Sequence, residues 1–179
     1  LSLKNQITLS QLREDFETKI NSRLEVSQKG YFDDEAFGNT GSSPPRAGDT
    51  TTYTVTWQAQ NYYNDVSGAK VKAVLPPNSR LTGRIFPEEA SLTFDSASRE
   101  VVWSLGDLEP GAETPKSAPN VVFQIAFTPD SSQRGQTPAI IGQAVISGQD
   151  SWTGKNLRSD ASALTTALPD DPSFGGSVQ

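Results

Sequence analysis

The side chains that could do chemistry here are carboxylates, lysines and hydroxyls, because the chain holds no His, no Cys and no Met. Without imidazole there is no Ser-His-Asp or Cys-His catalysis. Without His or Cys there is no zinc finger, catalytic zinc triad, iron–sulfur site or ordinary haem ligation. Three constellations remain. Asp33, Asp34 and Glu35, with Asp65 or Asp171, offer hard oxygen ligands, so Ca²⁺ is the one cofactor left open, although the spacing is not that of an EF-hand. Lys29 with Asn156 or Asp160 could be joined by a side-chain amide, losing ammonia or water, if burial neutralises the amine and keeps a nearby acid protonated. On an exposed edge Lys29 is instead a gatekeeper against strand pairing, and Lys70 and Lys72 are outward members of an alternating strand. Tyr62 and Tyr63, between Asn61 and Asn64, set aromatic faces beside amide donors, a combination that suits a glycan or a protein partner. The plainer reading has one tyrosine plugging the core and the other exposed.

Hydrolytic chemistry is poorly served. A glycosidase needs two carboxylates ~5–9.5 Å apart across a cleft, and Asp107 with Glu109, or Glu88 with Glu89, are loop neighbours that nothing forces to converge. Ser-Lys hydrolysis wants a Ser-x-x-Lys turn opening a helix, and no such tetrapeptide is expected in the chain. The chain reads as a non-enzyme.

The elements that position these residues are strands. Tyr53, Val55, Trp57 and Ala59 alternate with polar residues, as do Ala69, Val71, Ala73 and Leu75 before Pro76-Pro77. Leu92 and Phe94 turn through 95–98 into Val101, Trp103 and Leu105; Val121, Phe123, Ile125 and Phe127 follow. Two further strands are expected at 140–146 and 157–168, separated by a turn at 148–150. Trp57 and Trp103 point inward; Trp152 sits among polar residues at a less enclosed position. Short Thr/Val/aromatic strands with turns every ~8–12 residues predict an all-β, Ig-like antiparallel Greek-key β-sandwich over residues 21–168.

Residues 1–20 form an extension. Leu1, Leu3, Ile7 and Leu9 alternate outside the sandwich, so this segment needs a partner sheet, as the last strand of a preceding domain or as a strand donated to a neighbour. Leu9, Leu12, Phe16 and Ile20 suit a helix capped by Ser10, while Phe16, Thr18, Ile20 and Ser22 suit a strand equally well. Residues 33–48 read as a loop, and 169–179 as a tail. The chain starts at Leu1 and lacks Met, pointing to a piece of a longer protein.

The string from Gly48-Asp49-Thr50 through Tyr53-Thr54-Val55-Thr56-Trp57, Asn61 and Val71-Lys72-Ala73-Val74-Leu75-Pro76-Pro77 continues with Phe94-Asp95 and Val102-Trp103-Ser104-Leu105-Gly106-Asp107-Leu108-Glu109-Pro110-Gly111. It resembles the bacterial and archaeal surface-repeat family called domain of unknown function eleven, over roughly residues 24–168. The resemblance implies an Ig-like repeat near the C-terminus of a multi-domain cell-surface protein, an extracellular location, and no catalytic residues. Residues 1–20 lie outside it.

Net charge is −6 with 15 basic and 21 acidic residues, which disfavours nucleic acid and anionic membranes as partners. No apolar run approaches the ~20 residues of a membrane span, so direct insertion is not expected. The expected role is structural: a block of a surface stalk, repeat array or filament, partnered by neighbouring domains or identical subunits. An adhesin that recognises a glycan or protein through the Tyr62–Tyr63 loop is the alternative.

Overall fold

The computed structural model describes residues 1–10, 12–111 and 120–179. Strands β1 (Ser2–Leu9) and β2 (Leu12–Lys19) form a hairpin. They are followed by β3 (Leu24–Tyr31), β4 (Thr51–Asn61), β5 (Val66–Val74), β6 (Ser79–Phe86), β7 (Leu92–Asp95), β8 (Glu100–Leu108), β9 (Asn120–Phe127), β10 (Ala139–Ile141), β11 (Ala144–Asp150), β12 (Asn156–Ala161) and β13 (Leu164–Thr165). A four-stranded sheet runs β3-β4-β9-β6 and a five-stranded sheet β12-β11-β5-β8-β7, every pairing antiparallel. The first has the A-B-E-D order of an Ig sandwich, and β12-β11-β5 the G-F-C order, with β7 and β8 added beyond β5. The expected all-β, Ig-like antiparallel sandwich is the fold.

Alternation explains where the core sits. On β4 the inward Tyr53, Val55, Trp57 and Ala59 are fully enclosed, as are Val71 on β5, Val101 on β8 and Val121, Phe123, Ile125 and Phe127 on β9. Trp57 packs edge-to-face on Phe123, with centroids 4.9 Å apart, and its indole N–H donates to Gln28 Oε1 at 2.7 Å. Gln28 Nε2 in turn donates to the carbonyls of Gly142 and Ser162, so the one polar side chain that β3 turns inward has all its partners.

β4 and β9 are also covered on their outer face. Residues 33–48, a loop by sequence, fold over it: Asn39 accepts from Gln124 Nε2 at 2.9 Å and donates to Thr54 Oγ1 and the Phe32 carbonyl, both at 3.0 Å. Thr54 and Gln124 are buried as a result. Residues 169–179 are likewise laid down on the sandwich. Asp171 accepts the N–H groups of Phe32 and Asp33, Phe174 stacks 5.4 Å from Phe32, and Val178 makes a parallel bridge to Arg134.

The strands differ from the sequence reading in several places: the expected strand at 140–146 is split into β10 and β11, and that at 157–168 into β12 and β13, with β10 and β13 paired in a small sheet of their own. β6 was not anticipated: Leu81 and Ile85 alternate with polar residues, but the pattern is broken by a ladder irregularity around Gly83 (φ 90°). β11 runs on through 148–150, where a turn was expected, and the chain reverses at 151–155 instead.

Candidate interaction site at the hairpin pole

β4, with 11 residues, spans about 35 Å at ~3.4 Å per residue, and the hairpin grows from its Asn61 end. Four polar side chains seal that end. The Ser22 backbone N–H donates to Asp150 Oδ2 at 2.5 Å and the Ser22 hydroxyl to Asn61 Oδ1 at 2.6 Å. The same hydroxyl oxygen accepts the N–H groups of Tyr63 and Asn64 at 3.1 and 3.2 Å. Asn61 Nδ2 donates to the carbonyls of Asn64 and Leu108, while Asn64 Nδ2 donates to the Ile20 carbonyl and to Asp150 Oδ2. Asp150 Oδ1 accepts from the backbones of Trp152 and Thr153 at 2.8 and 2.9 Å. Burial opposes ionisation of this carboxyl, yet the Asn64 amide and the N–H groups of Ser22, Thr153 and Trp152 outweigh it and hold its pKa down to about 2.

This network fastens the hairpin. Asn64 Oδ1 accepts from the Leu1 amino group, Ile20 N–H donates to the Leu1 carbonyl at 3.0 Å, and Lys19 Nζ donates to the Trp152 carbonyl at 3.0 Å. The Lys19 ammonium also lies 4.3 Å from the Trp152 ring centroid, a cation–π contact. Beyond this base the hairpin projects free of the sandwich, Leu9 pairs with Leu12, and Ser10 takes a left-handed φ of 58°.

The register sorts its two faces. Leu3 opposes Thr18, Asn5 opposes Phe16, and Ile7 opposes Glu14. Hence Leu1, Leu3, Ile7, Leu9, Phe16 and Ile20 share one face, while Lys4, Gln6, Arg13, Asp15, Glu17 and Lys19 share the other, where Gln6 donates to Asp15 at 2.7 Å. The apolar six are all exposed, from 37% at Ile20 to 73% at Leu9. Residues 9–20 are therefore not a helix, and β1 is not an unpaired strand. Its partner is β2, and what lacks a partner is the apolar face of the pair.

The other candidate residues fall differently. Asn61 and Asn64 are buried and their amides are taken up by the network above, so they offer nothing to a ligand. Tyr62 is half-buried, its hydroxyl within 2.7 Å of Glu25 Oε2; that hydrogen bond, opposed by burial, holds the Glu25 carboxyl below its ordinary value. Only Tyr63 of the expected quartet faces solvent. It lines a shallow cleft of about 320 Å³ with Trp152, Asp65, Pro110 and Ser151, and the two rings are 48% and 43% exposed. Asp150 and Trp152, which complete this end, follow a recognisable signal: an Asp followed by Ser-Trp-Thr-Gly, whose carboxylate caps the N–H groups two and three residues on.

The acidic cluster does not converge. Among the described residues no three Asp or Glu side chains gather closely enough to hold a metal. Asp34 accepts instead from Thr54 Oγ1 and Ala36 N–H, and Asp171 from the loop backbone, while Asp33 and Glu35 point to solvent. The amide lock is corrected too: Lys29, Asn156 and Asp160 are all exposed, so the desolvation that would neutralise the amine is missing, and Asp160 accepts from Gln143 at 2.5 Å. A Ser-x-x-Lys tetrapeptide does occur, Ser67-Gly68-Ala69-Lys70, but it crosses an irregular stretch of β5 rather than opening a helix. Asp107 accepts from Gly68 N–H at 3.1 Å.

No protein-family model and no curated protein matches the chain, so the surface-repeat resemblance is not recovered by a family model. Among solved structures the chain is similar to the major pilin subunit BcpA of Bacillus cereus, at 8% identity and a TM-score of 0.49 over 92% of this chain and 47% of that one. It is also similar to the full-length major pilin SpaD of Corynebacterium diphtheriae, at 12% identity and a TM-score of 0.43 over 79% of this chain and 35% of that one. A third is the chitin-binding domain of a Pyrococcus furiosus chitinase, at 15% identity and a TM-score of 0.35 over 75% of this chain and 100% of that one. The chain spans about half the length of the first of these, 47%.

Proposed function

We propose that this chain is a structural module of an extracellular, cell-surface assembly, a rigid Ig-like sandwich that joins a neighbouring domain or an identical subunit through its β1–β2 hairpin. The observation that carries the reading is the uncovered apolar face of a hairpin tied by its base to a well-packed body. The repeat-like order of motifs over residues 24–168 supports it, as do the carboxylates of Asp34, Asp107, Asp150 and Asp171, each of which accepts from backbone N–H groups. Antibody against the sandwich is expected to label intact source cells, and a chain lacking residues 1–20 is expected to fold, by near-ultraviolet circular dichroism, yet disappear from the high-mass surface fraction. Labelling only after permeabilisation, or unchanged assembly of the truncated chain, rejects the reading.

A second reading, a binding module for a glycan or protein, is favoured by one observation: Tyr63 and Trp152 are exposed on a common cleft at the hairpin pole. If it holds, a glycan array shows binding that Tyr63→Ala with Trp152→Ala abolishes while the thermal midpoint stays in place. An array silent for the wild-type chain counts against it.

A further inference from the structure

Among the described residues the hairpin's apolar face is the largest exposed group of big hydrophobic side chains, with Leu1, Leu3, Ile7, Leu9, Phe16 and Ile20 on one side of a two-stranded ribbon. An isolated two-stranded hairpin is marginal in water, because one face has nothing to pack against. We propose that the occupant of this face is the same face of a second copy, the two hairpins closing about a two-fold axis into a small four-stranded sandwich. The proposal rests on the structural-module reading and names its partner.

Area supports a copy as the partner. At roughly 200 Å² for a large apolar side chain, six residues about half exposed present on the order of 600 Å². Two copies closing face to face bury about 1,200 Å², the lower bound for a stable specific interface. An apolar patch of this size on one molecule marks an interaction surface.

Charge points the same way. Within the hairpin Lys4, Arg13 and Lys19 balance Glu14, Asp15 and Glu17, so the whole net charge of −6 resides on the rest of the chain. Two sandwiches repel one another, and the neutral arm is the part through which copies can approach. All but one of these charges lie on the polar face, and they stay in water when the apolar faces close; Glu14, opposite Ile7, is the exception. Joining β1 to β1 of another copy edge to edge would occupy the open ladder but leave the apolar face wet. Stacking at the ~10 Å spacing of packed sheets covers it. Because the contact is isologous, it closes as a dimer and does not propagate.

Sedimentation equilibrium of the full chain tests this. The expected result is a monomer–dimer equilibrium, with Ile7→Lys and Phe16→Glu each weakening the dimer at least ten-fold. Near-ultraviolet circular dichroism from the core tryptophans is expected to stay unchanged, since neither residue touches the sandwich core. The chain has no cysteine of its own, so single-cysteine variants report the face directly. Asn5→Cys, on the apolar face, is expected to give a disulfide-linked dimer under mild oxidation, and Gln6→Cys, on the opposite face, to do so at least ten-fold more slowly. A chain that stays monomeric throughout the micromolar range, an open-ended series of oligomers, a dimer untouched by both charge substitutions, or equal cross-linking from both faces overturns the proposal. A surface-labelled monomer removes this inference and leaves the module reading standing. A dimer found only inside permeabilised cells does the reverse.

Discussion

Asp150→Asn is expected to lower the stability of the sandwich by about 2–4 kcal/mol, read as a shift of the urea midpoint at unchanged slope. The carboxylate has 0% exposure and accepts four hydrogen bonds, from Ser22, Asn64, Trp152 and Thr153. An amide in its place keeps one oxygen and turns an NH₂ group towards donors, leaving buried N–H groups without an acceptor. The same site sets an acid limit. With its pKa held at about 2 in the folded chain and near 3.9 when unfolded, the aspartate contributes on the order of 2 kcal/mol. That contribution is fully present above about pH 5 and fades as the pH falls towards 2, because below its unfolded pKa the unfolded chain takes up the proton first. Urea titrations at pH 7 and pH 2.5 are expected to show the wild-type chain losing this increment and Asp150→Asn losing less. Equal acid losses in the two proteins would show that Asp150 does not carry the dependence.

Trp57→Ala is expected to cost about 3–5 kcal/mol, a large part of the ~5–15 kcal/mol that holds a domain together. Trp57 is fully enclosed, lies edge-on to Phe123 at 4.9 Å and satisfies Gln28 Oε1. Its loss leaves a cavity between the sheets and a buried amide oxygen without its donor. With no cysteine there is no disulfide to hold the sheets across that gap. Trp57→Phe separates the two effects, since it refills most of the volume and leaves only the amide unpaired, for an expected loss of about 1–3 kcal/mol. If both variants melt like the wild-type chain, the packing account of this core is wrong.

Where every second residue enters the core between the sheets the strands were legible. Tyr53 to Ala59 on β4 and Val121 to Phe127 on β9 announce themselves because every second residue meets the core. β6 stayed hidden because its ladder is interrupted near Gly83 and most of its residues are exposed, so Leu81 and Ile85 carry too short a pattern. The hairpin was half legible. Alternation at Leu1, Leu3, Ile7 and Leu9 showed a strand in need of a partner, but Leu9, Leu12, Phe16 and Ile20 satisfy a period of 3.6 as well as Phe16, Thr18, Ile20 and Ser22 satisfy a period of two, and only the pairing decides. At the candidate site the residue types were singled out and their tasks were not. Asn61 and Asn64 look like ligand-facing amides, whereas the fold turns them towards carbonyls and a carboxylate that would otherwise be orphaned. Asp34 and Asp171 look like cation ligands and instead cap backbone N–H groups, a use that depends on which loops lie against each other.

The chain enters and leaves the sandwich at opposite poles. Ile20 and Ser22 are bound beside Asn61, at one end of β4, whereas Gln179 is held by Pro45 and Ala47, next to the Thr51 end. A pull applied at residue 20 therefore draws β3 lengthwise against β4. Their ladder, Leu24–Asn61 through Tyr31–Thr54, lies across that pull and is loaded in shear, so its hydrogen bonds must give way together rather than peel one at a time. A pull at residue 179 loads first the backbone hydrogen bonds that tie Val178 and Gln179 to Gln136, Gly135, Pro45 and Ala47, so the two ends of the module resist in different ways.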